Sequence, residues 1–252
     1  MLKVRLIPVL LLRRGRMVKG KRFADFRDTG DPISAARIYN AQNADELAFV
    51  DTEASREGRG ALLQIVERVA EECFMPFTVG GGIRTIEDIR NLLNAGADKV
   101  LITTAAVENP RLIAEGSEIF GRQCLVVGID ALRHSDGYQL YTHGGRTPAN
   151  VEMEAHFHRM QEMGAGEFLV NSIDNDGMMQ GYDSRLLKLA SEYTDRPVIA
   201  LGGAGNFQHL ADVLRNQLAH AVACASLFHF GDNNPIRARA FLKNEGFPVK
   251  NV

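Results

Sequence analysis

Short, continuously apolar runs alternate with amphipathic stretches along the whole chain. Eight of these runs are bounded by glycine, proline or polar residues, and they read RLIPVLLL, ELAFVDT, PFTVGGG, KVLITT, LVVGID, EFLVNSI, PVIALGG and HAVACAS. Apolar runs of about four to eight residues are typical of parallel strands that helices cover on both faces. The pattern therefore predicts an α/β protein with eight parallel strands.

The stretches between the runs carry signals for helix ends. Asp31 followed by Pro32 predicts an N-cap and a first helical residue, and Asn109 followed by Pro110 predicts a second start of the same kind. Thr85 is predicted to cap the amphipathic stretch TIEDIRNLLNAG, whose glycine would end the helix. Strands and helices are thus expected to alternate.

An internal repeat favours a closed barrel over a doubly wound sheet. DELAFVD from Asp45 resembles GEFLVNS from Gly166, and PFTVGGG from Pro76 resembles PVIALGG from Pro197; both pairs are offset by 121 residues. Chance likeness between generic strands would not preserve both the order and the offset. The sequence therefore predicts one (β/α)8 TIM barrel over residues 1–252, built from half-barrels of roughly 1–120 and 121–252.

Length and composition agree with this fold and argue against several functions. Barrels of this kind commonly have about 200–250 residues, and the chain has 252. Its 29 basic and 31 acidic residues nearly cancel, which argues against nucleic acid or an anionic membrane as the partner. No apolar run approaches the roughly 18 residues of a membrane span, and the N-terminal LIPVLLL is interpreted as a strand rather than a signal peptide.

The cysteines point to a reducing compartment. Cys73, Cys124 and Cys224 lie far apart and form no CxxC pair, which argues against a disulfide framework and a zinc site. A cytoplasmic location is therefore expected. The sequence shows no metal-ligand set and implies no cofactor.

Glycine-rich loops follow the third and seventh predicted strands. VGGGIR contains Gly81 and Gly82, and LGGAGN contains Gly202 and Gly203. Glycine lets the backbone come close to a ligand and direct N–H groups at an anion, although a tight turn explains one such loop equally well. Two loops on opposite strands suggest a substrate with a phosphate at either end. Neighbouring strand ends would complete the sites with Thr104, Asp176, Gly177 and Ser226.

Several motifs together resemble the cyclase-subunit family of imidazole glycerol phosphate synthase. They are RMVKG, DTGDP, TVGGGI, TAAVENP, SIDNDG, GYD and GGAG, and the likeness covers essentially all 252 residues. The resemblance implies a barrel that receives ammonia from a separate glutaminase subunit docked on its N-terminal face. It also implies that the barrel joins this ammonia to a substrate with two phosphates during histidine biosynthesis.

The resemblance implies catalysis by two facing aspartates, and one of them is missing. Asp130 matches the family's aspartate at the end of the fifth strand, but Leu11 stands where the first strand carries the other. General acid–base groups contribute about 10²–10⁴-fold, so this replacement predicts that ring closure is altered or lost. Lys19 matches the family's mobile substrate lysine, within a loop, residues 13–30, that is expected to act as a lid.

Some other positions differ from the family, and others match it. Thr103, Asn171 and Met178 stand where the family has asparagine, threonine and threonine. At the opposite end of the barrel, four charged residues begin predicted strands and match the family's salt-bridged ammonia gate; they are Arg5, Glu46, Lys99 and Glu167. The predicted entrance for ammonia is thus kept, while half of the predicted acid–base pair is absent.

Three hypotheses follow. In the first, the chain is a paralogue that conducts ammonia to a third protein, which converts an acetamido group of a nucleotide-linked sugar into an acetamidino group in surface-polysaccharide (lipopolysaccharide O-antigen) biosynthesis. In the second, it is a histidine-pathway cyclase that converts the phosphoribulosyl-formimino-AICAR phosphate substrate and ammonia to imidazole glycerol phosphate and AICAR, with Lys19 or water replacing the aspartate. In the third, it is a stand-alone sugar-phosphate isomerase, which would also want a carboxylate at position 11 and gives the charged ring no role.

Overall fold

Eight parallel strands close into a barrel, as predicted. The structure is a computed structural model that describes residues 3–135 and 137–251. Each barrel strand pairs with the next, and the eighth pairs with the first, so the sheet has no open edge among these strands. Barrel strands 1 to 8 are Arg5–Arg13, Leu47–Asp51, Phe77–Gly80, Lys99–Ile102, Leu125–His134, Glu167–Ser172, Val198–Leu201 and Ala221–Cys224.

Helices surround the barrel and cover the outer faces of its strands. One continuous apolar core joins the helices to the strands; Phe157 and Phe168, for example, pack with their rings tilted by 45° and ring centroids 4.7 Å apart. None of the helices in the described chain has the length and apolar character needed to span a membrane. The α-helices are Pro32–Ala41, Ala54–Glu57, Leu63–Glu72, Ile86–Asn94, Thr104–Glu108, Arg111–Phe120, Met153–Glu162, Ser184–Tyr193, Phe207–Arg215, Ser226–His229 and Pro235–Asn244, with a 3-10 turn at Arg122–Cys124.

Two of the predicted helix starts are confirmed in detail. The Asp31 side chain accepts a hydrogen bond from the Ser34 N–H, and a proline occupies the first helical turn. Thr85 and Asp88 form a reciprocal capping box, and Gly96 follows the end of that helix with a φ of 106°. Each cap satisfies backbone groups that a helix end would otherwise leave without a partner.

The predicted helix start at Asn109–Pro110 is confirmed within one residue, since the helix Arg111–Phe120 follows Pro110, but the Asn109 side chain does not cap it. Asn109 ends the short helix Thr104–Glu108, because its N–H donates to the carbonyl of Ala105. Pro110 therefore occupies the N-cap position of Arg111–Phe120, and no side chain caps that helix.

The segment predicted as a lid loop is instead a β-hairpin. Its strands, Arg16–Lys21 and Ala24–Gly30, pair antiparallel, and the first of them also extends barrel strand 1. A second hairpin, which the sequence did not predict, extends barrel strand 5 through Gly137–Thr142 and Thr147–Pro148. The two hairpins rise from corresponding strands, on either side of the carboxyl end of the barrel.

The inside of the barrel is filled by its own apolar cluster. Leu11 and Val50 are partly buried and pack against the top of this cluster. The cluster therefore runs along the barrel axis, separate from the core beneath the helices. Its buried members are Ile7, Val9, Ala48, Leu101, Val126, Leu169, Ile199, Leu201, Ala221, Ala223 and Ala225.

Candidate functional site

A cavity of about 530 Å³ opens at the carboxyl ends of the barrel strands. Its floor is the apolar interior, at Val9, Leu101 and Leu169, and the hairpin residues Phe23 and Phe26 line its upper part. Enzymes with this fold place their chemistry at this end, because loops from all eight strands converge there. The cavity is therefore the candidate active site.

Leu11 and Asp130 occupy corresponding places on the cavity wall. Leu11 pairs in register with Val50 of barrel strand 2, and Asp130 pairs in the same way with Asn171 of barrel strand 6. Both side chains line the cavity. The structure thus brings together the two positions that the family resemblance singled out, and only one of them can exchange a proton.

Asp130 is placed to act as an acid or a base near neutral pH. Burial raises the pKa of its carboxyl group to about 7; a hydrogen bond from Asn171 works against this rise, and the nearby carboxylate of Asp176 adds to it. The Asn171 Nδ2 donates to Asp130 Oδ1 across 3.3 Å. A carboxyl group with such a pKa is present in both protonation states at pH 7, as proton transfer requires.

Lys19 lies in the first hairpin and is held by an ion pair. Its ammonium Nζ is 2.8 Å from Asp176 Oδ1, and both side chains are less than a tenth exposed. The Arg22 N–H also donates to the carbonyl of Asp176, at 2.8 Å. The hairpin is thereby fastened over the strand-6 end, and Lys19 is not among the described residues that line the cavity. Its action on a substrate stays a prediction.

Four of the eight predicted phosphate-binding residues line the cavity: Gly81, Gly82, Thr104 and Asp176. The φ angles of Gly81 and Gly82 are 104° and 75°, and a Cβ on Gly82 would lie 2.3 Å from the Arg59 carbonyl oxygen. Only glycine fits there, so the loop can bring backbone N–H groups close to a ligand. Thr104 Oγ1 already accepts a hydrogen bond from the His143 N–H, at 3.0 Å.

The other four predicted phosphate-binding residues are not part of this cavity lining: Gly177, Gly202, Gly203 and Ser226. A Cβ on Gly177 would lie 2.3 Å from the Gly20 carbonyl oxygen of the hairpin, and one on Gly203 would lie 2.0 Å from the carbonyl oxygen of Gly181. The protein's own backbone therefore occupies the space beside these two glycines. The Ser226 Oγ is buried and makes no hydrogen bond to a described residue.

Sequence reasoning missed six charged residues of the cavity lining: Arg13, Asp25, Asp51, Glu53, Arg56 and Arg146. Arg13 and Arg56 line the cavity beside Glu53, which is 4% exposed. Glu53 and Arg56 come directly after barrel strand 2, so their position at a strand end could have revealed them.

The four predicted gate residues form one ring of ion pairs at the amino end of the barrel. Arg5 contacts Glu46 at 2.8 Å and Glu167 at 2.7 Å, and Lys99 contacts the same two carboxylates at 3.1 and 2.9 Å. Thr78 Oγ1 donates a further hydrogen bond to Glu46. The ring lies below the apolar interior, and its charges cancel.

The electrostatics of Glu167 show that the ring holds its charges in place. Burial acts to raise the pKa of this carboxyl group, but the attraction of Arg5 and Lys99 outweighs burial, so the pKa is lowered. The pKa of Arg5 is raised, since the two carboxylates outweigh the burial that would lower it. Arg5 and Glu167 are therefore both held in their charged forms by the ring.

The described residues contain no group of three or more histidine, cysteine, aspartate or glutamate side chains arranged to hold a metal ion.

A comparison with protein families agrees with the barrel and its strand-end cavity. Residues 5–234 match the family described as "Histidine biosynthesis protein". The match includes all eight barrel strands, both hairpins, the ring and the cavity residues. Because it covers most of the chain, this barrel belongs to the histidine biosynthesis protein family.

Proposed function

We propose that the chain is the barrel subunit of a glutamine-dependent complex, and that it carries ammonia from a glutaminase at its amino end to the cavity at its carboxyl end. Three features in line along the barrel axis support this route. They are the ring of Arg5, Glu46, Lys99 and Glu167, the apolar interior, and the cavity above it.

The apolar interior suits ammonia rather than ammonium. A charged ammonium ion would lose its hydration among side chains that offer it no hydrogen bonds, which is strongly unfavourable. Neutral ammonia is small and loses much less. The ring closes the lower end through four short ion pairs, so passage requires these pairs to rearrange, and we assign that role to the docked glutaminase.

The observation that carries the proposal is the packing of Leu11. This side chain packs against the interior cluster and also lines the cavity, so apolar surface continues from the barrel axis to the place where the resembling family has an acid. We therefore propose that ring closure has been abandoned. Ammonia would pass to a third protein that amidinates an acetamido sugar in surface-polysaccharide biosynthesis.

A histidine-pathway cyclase is the second candidate, and the state of Asp130 favours it. With its pKa near 7, this single carboxyl group could donate and accept protons in turn. Asn171 would position it, and Asp176 would keep its pKa high.

The decisive experiment tests the subunit without a glutaminase, with free ammonium as the source of ammonia. We would supply the purified subunit with the two-phosphate cyclase substrate and a high concentration of ammonium at mildly alkaline pH, and follow loss of the substrate. The unmodified protein is expected to be inactive. Leu11→Asp restores the missing carboxyl group and is expected to gain at least about 100-fold over the detection limit.

Leu11→Asn is the matched control, because it has the size and polarity of aspartate without its proton. It should stay inactive. Turnover by the unmodified protein at the rate of Leu11→Asp would contradict the proposal and establish the cyclase.

A further inference from the structure

We propose that Arg13 and Arg56 form an anion-binding site on the cavity wall, and that this site together with the adjacent Gly81–Gly82 loop recognises a diphosphate group. The site lies on the wall of the cavity in which the proposed ammonia route ends, and binding of an anion there does not depend on that route. The site rests on four observations: the convergence of the two arginines, the charge around them, their neighbour, and the hairpin over the cavity.

The two arginines converge on one oxygen of a buried carboxylate. Arg56 Nη2 donates to Glu53 Oε1 at 2.6 Å, and Arg13 Nε lies 2.7 Å from the same oxygen. Glu53 is 4% exposed, whereas each arginine side chain is about a third exposed and lines the cavity. Glu53 therefore acts as a fixed anchor that holds both guanidinium groups at the cavity wall.

Binding to Glu53 uses only part of the hydrogen-bond donors and the positive charge of the two arginines. A guanidinium group carries five N–H donors in a rigid fork, and Glu53 Oε1 takes only one contact from each arginine. Arg14 lies 3.9 Å from the other carboxylate oxygen, which makes no hydrogen bond to a described residue.

Positive charge also exceeds negative charge in the ion-paired cluster around the anchor. The arginines 13, 14, 56 and 59 meet three carboxylates, those of residues 51, 53 and 57, so a charge of +1 remains. The cavity lining adds Arg146, but it also adds the carboxylates of Asp25, Asp130 and Asp176, so the positive excess is local to the cluster. An anion bound at the cluster itself would find free guanidinium donors and a local attraction.

The neighbouring loop and the Ser55 hydroxyl form a second place for an anion. The Gly82 N–H is already donated to Ser55, but the O–H of Ser55 stays available as a donor at the cavity. Arg56 belongs to the short helix Ala54–Glu57, and Ser55 of that helix accepts a hydrogen bond from the Gly82 N–H at 3.3 Å. The glycine loop and the arginine pair are thus side by side on one wall. A single phosphate group would contact either the arginine pair or the loop beside it, whereas two joined phosphoryl groups would contact both.

The hairpin over the cavity fits an organic group attached to the diphosphate. Phe23 and Phe26 of the first hairpin line the cavity, and flat aromatic rings at this place offer an apolar surface to a base or sugar. The ligand could be inorganic diphosphate or a sugar nucleotide, since both carry the group that the arginines and the loop would bind.

The test is isothermal titration calorimetry on the purified full-length chain without a glutaminase. The probes are pyrophosphate, orthophosphate and uridine diphosphate N-acetylglucosamine, each titrated into the unmodified protein, Arg56→Gln and Arg56→Lys. We expect one pyrophosphate per chain, bound at least 10-fold more tightly than orthophosphate. Arg56→Gln should weaken pyrophosphate binding at least 10-fold, and Arg56→Lys should fall between, because it keeps the charge and loses the fork.

Arg16→Gln is the matched control. Arg16 lies on the hairpin and pairs with Asp28, both more than half exposed, and it is not among the described cavity-lining residues. This variant should bind pyrophosphate like the unmodified protein. Thermal unfolding of every variant would show that the folded barrel is being compared.

Three results would overturn the site: no saturable binding of pyrophosphate, equal affinity for orthophosphate, or unchanged affinity in Arg56→Gln. Tighter binding of the sugar nucleotide than of pyrophosphate would identify a nucleotide-linked ligand, and the reverse order would identify inorganic diphosphate. Neither order of affinities bears on ammonia transport. A failure to bind pyrophosphate would therefore leave the proposed function untouched, and a failure of the proposed function would leave the anion site untouched.

Discussion

At the scale of single residues, the cavity wall carries side chains of opposite character at corresponding positions. Leu11 adds apolar surface continuous with the barrel interior, whereas Asp130 is a carboxyl group whose pKa burial raises to about 7. Holding an ionised Asp130 in this wall opposes folding, because burial and the nearby carboxylate of Asp176 both disfavour its charged form. The residue should therefore reveal itself in the stability of the protein as well as in its activity.

Asp130→Asn is expected to stabilise the protein at high pH and to change little at low pH. The folded-state pKa of about 7 exceeds the unfolded value of 3.8, so the folded state binds the proton more tightly and the unmodified protein gains stability as pH falls from 7 towards 4. At pH 8.5 the variant escapes this penalty, which is about 4 kcal/mol, and at pH 4.5 about 1 kcal/mol of it remains. Denaturant unfolding at pH 8.5 and 4.5 measures it. The exposed Asp195→Asn should show no such difference, and an equal effect of Asp130→Asn at both pH values would refute the argument.

At the scale of elements, the first hairpin is the part of the site that the chain adds to the barrel. It is fastened to the strand-6 end by the Lys19–Asp176 ion pair and by the Arg22 N–H, and its tip packs closely on Gly177. Its aromatic residues thereby reach the cavity. Because breaking a buried pair leaves an uncompensated charge, the fastening should depend strongly on Lys19.

Lys19→Met is expected to release the hairpin while the barrel stays folded. In the closed state of this variant, the buried Asp176 carboxylate no longer has the Lys19 cation beside it. Opening of the hairpin hydrates the carboxylate, so the open state becomes more populated and hydrogen exchange of the amides in residues 16–30 should accelerate at least about 10-fold. Adding Asp176→Asn should restore part of the protection. Arg27→Met, on the exposed side of the same hairpin, should leave exchange unchanged. Unaltered protection in Lys19→Met would mean that packing alone holds the hairpin down.

At the scale of the whole molecule, the ion-pair ring links strands that are far apart in sequence. Arg5 on barrel strand 1 contacts Glu167 on barrel strand 6, across 162 positions of the chain, and Lys99 joins both carboxylates from barrel strand 4. The ring therefore forms only when the barrel is closed. The partly buried positions of its members make each charge dependent on the others.

Removing one member of the ring is expected to destabilise the barrel more than removing an exposed pair. Glu167→Gln leaves Arg5 and Lys99 facing a single carboxylate, so the free energy of unfolding should fall by about 2 kcal/mol. The double variant Arg5→Met/Glu167→Gln should lose less free energy of unfolding than the sum of the losses in the two single variants. We expect this difference to be about 1 kcal/mol or more. The exposed pair Arg37–Glu72 is the control, and its coupling should stay below about 1 kcal/mol. Additive effects in the ring would show that its charges do not act together.

The amino-acid sequence by itself determined the fold class, most element positions and the identity of the chief candidates. Eight apolar runs predicted eight strands because a strand covered on both faces needs apolar residues throughout. Thr85 and Asp31 predicted helix starts because capping is a local interaction between residues three apart. Asp130, Gly81 and the ring residues were found from strand ends and family motifs, while the half-barrel boundary near residue 120 stays a prediction.

Only the tertiary structure decided how those parts meet. Hairpin pairing, the Lys19–Asp176 contact across 157 positions, and the convergence of Arg13 and Arg56 on Glu53 depend on side chains brought together by barrel closure. The same closure determined which glycine loop faces the cavity, since the strand-6 loop and the hairpin cover Gly177 and Gly203. Local periodicity specifies which face of an element is buried, but the partner across that face is chosen by the packing of the whole molecule.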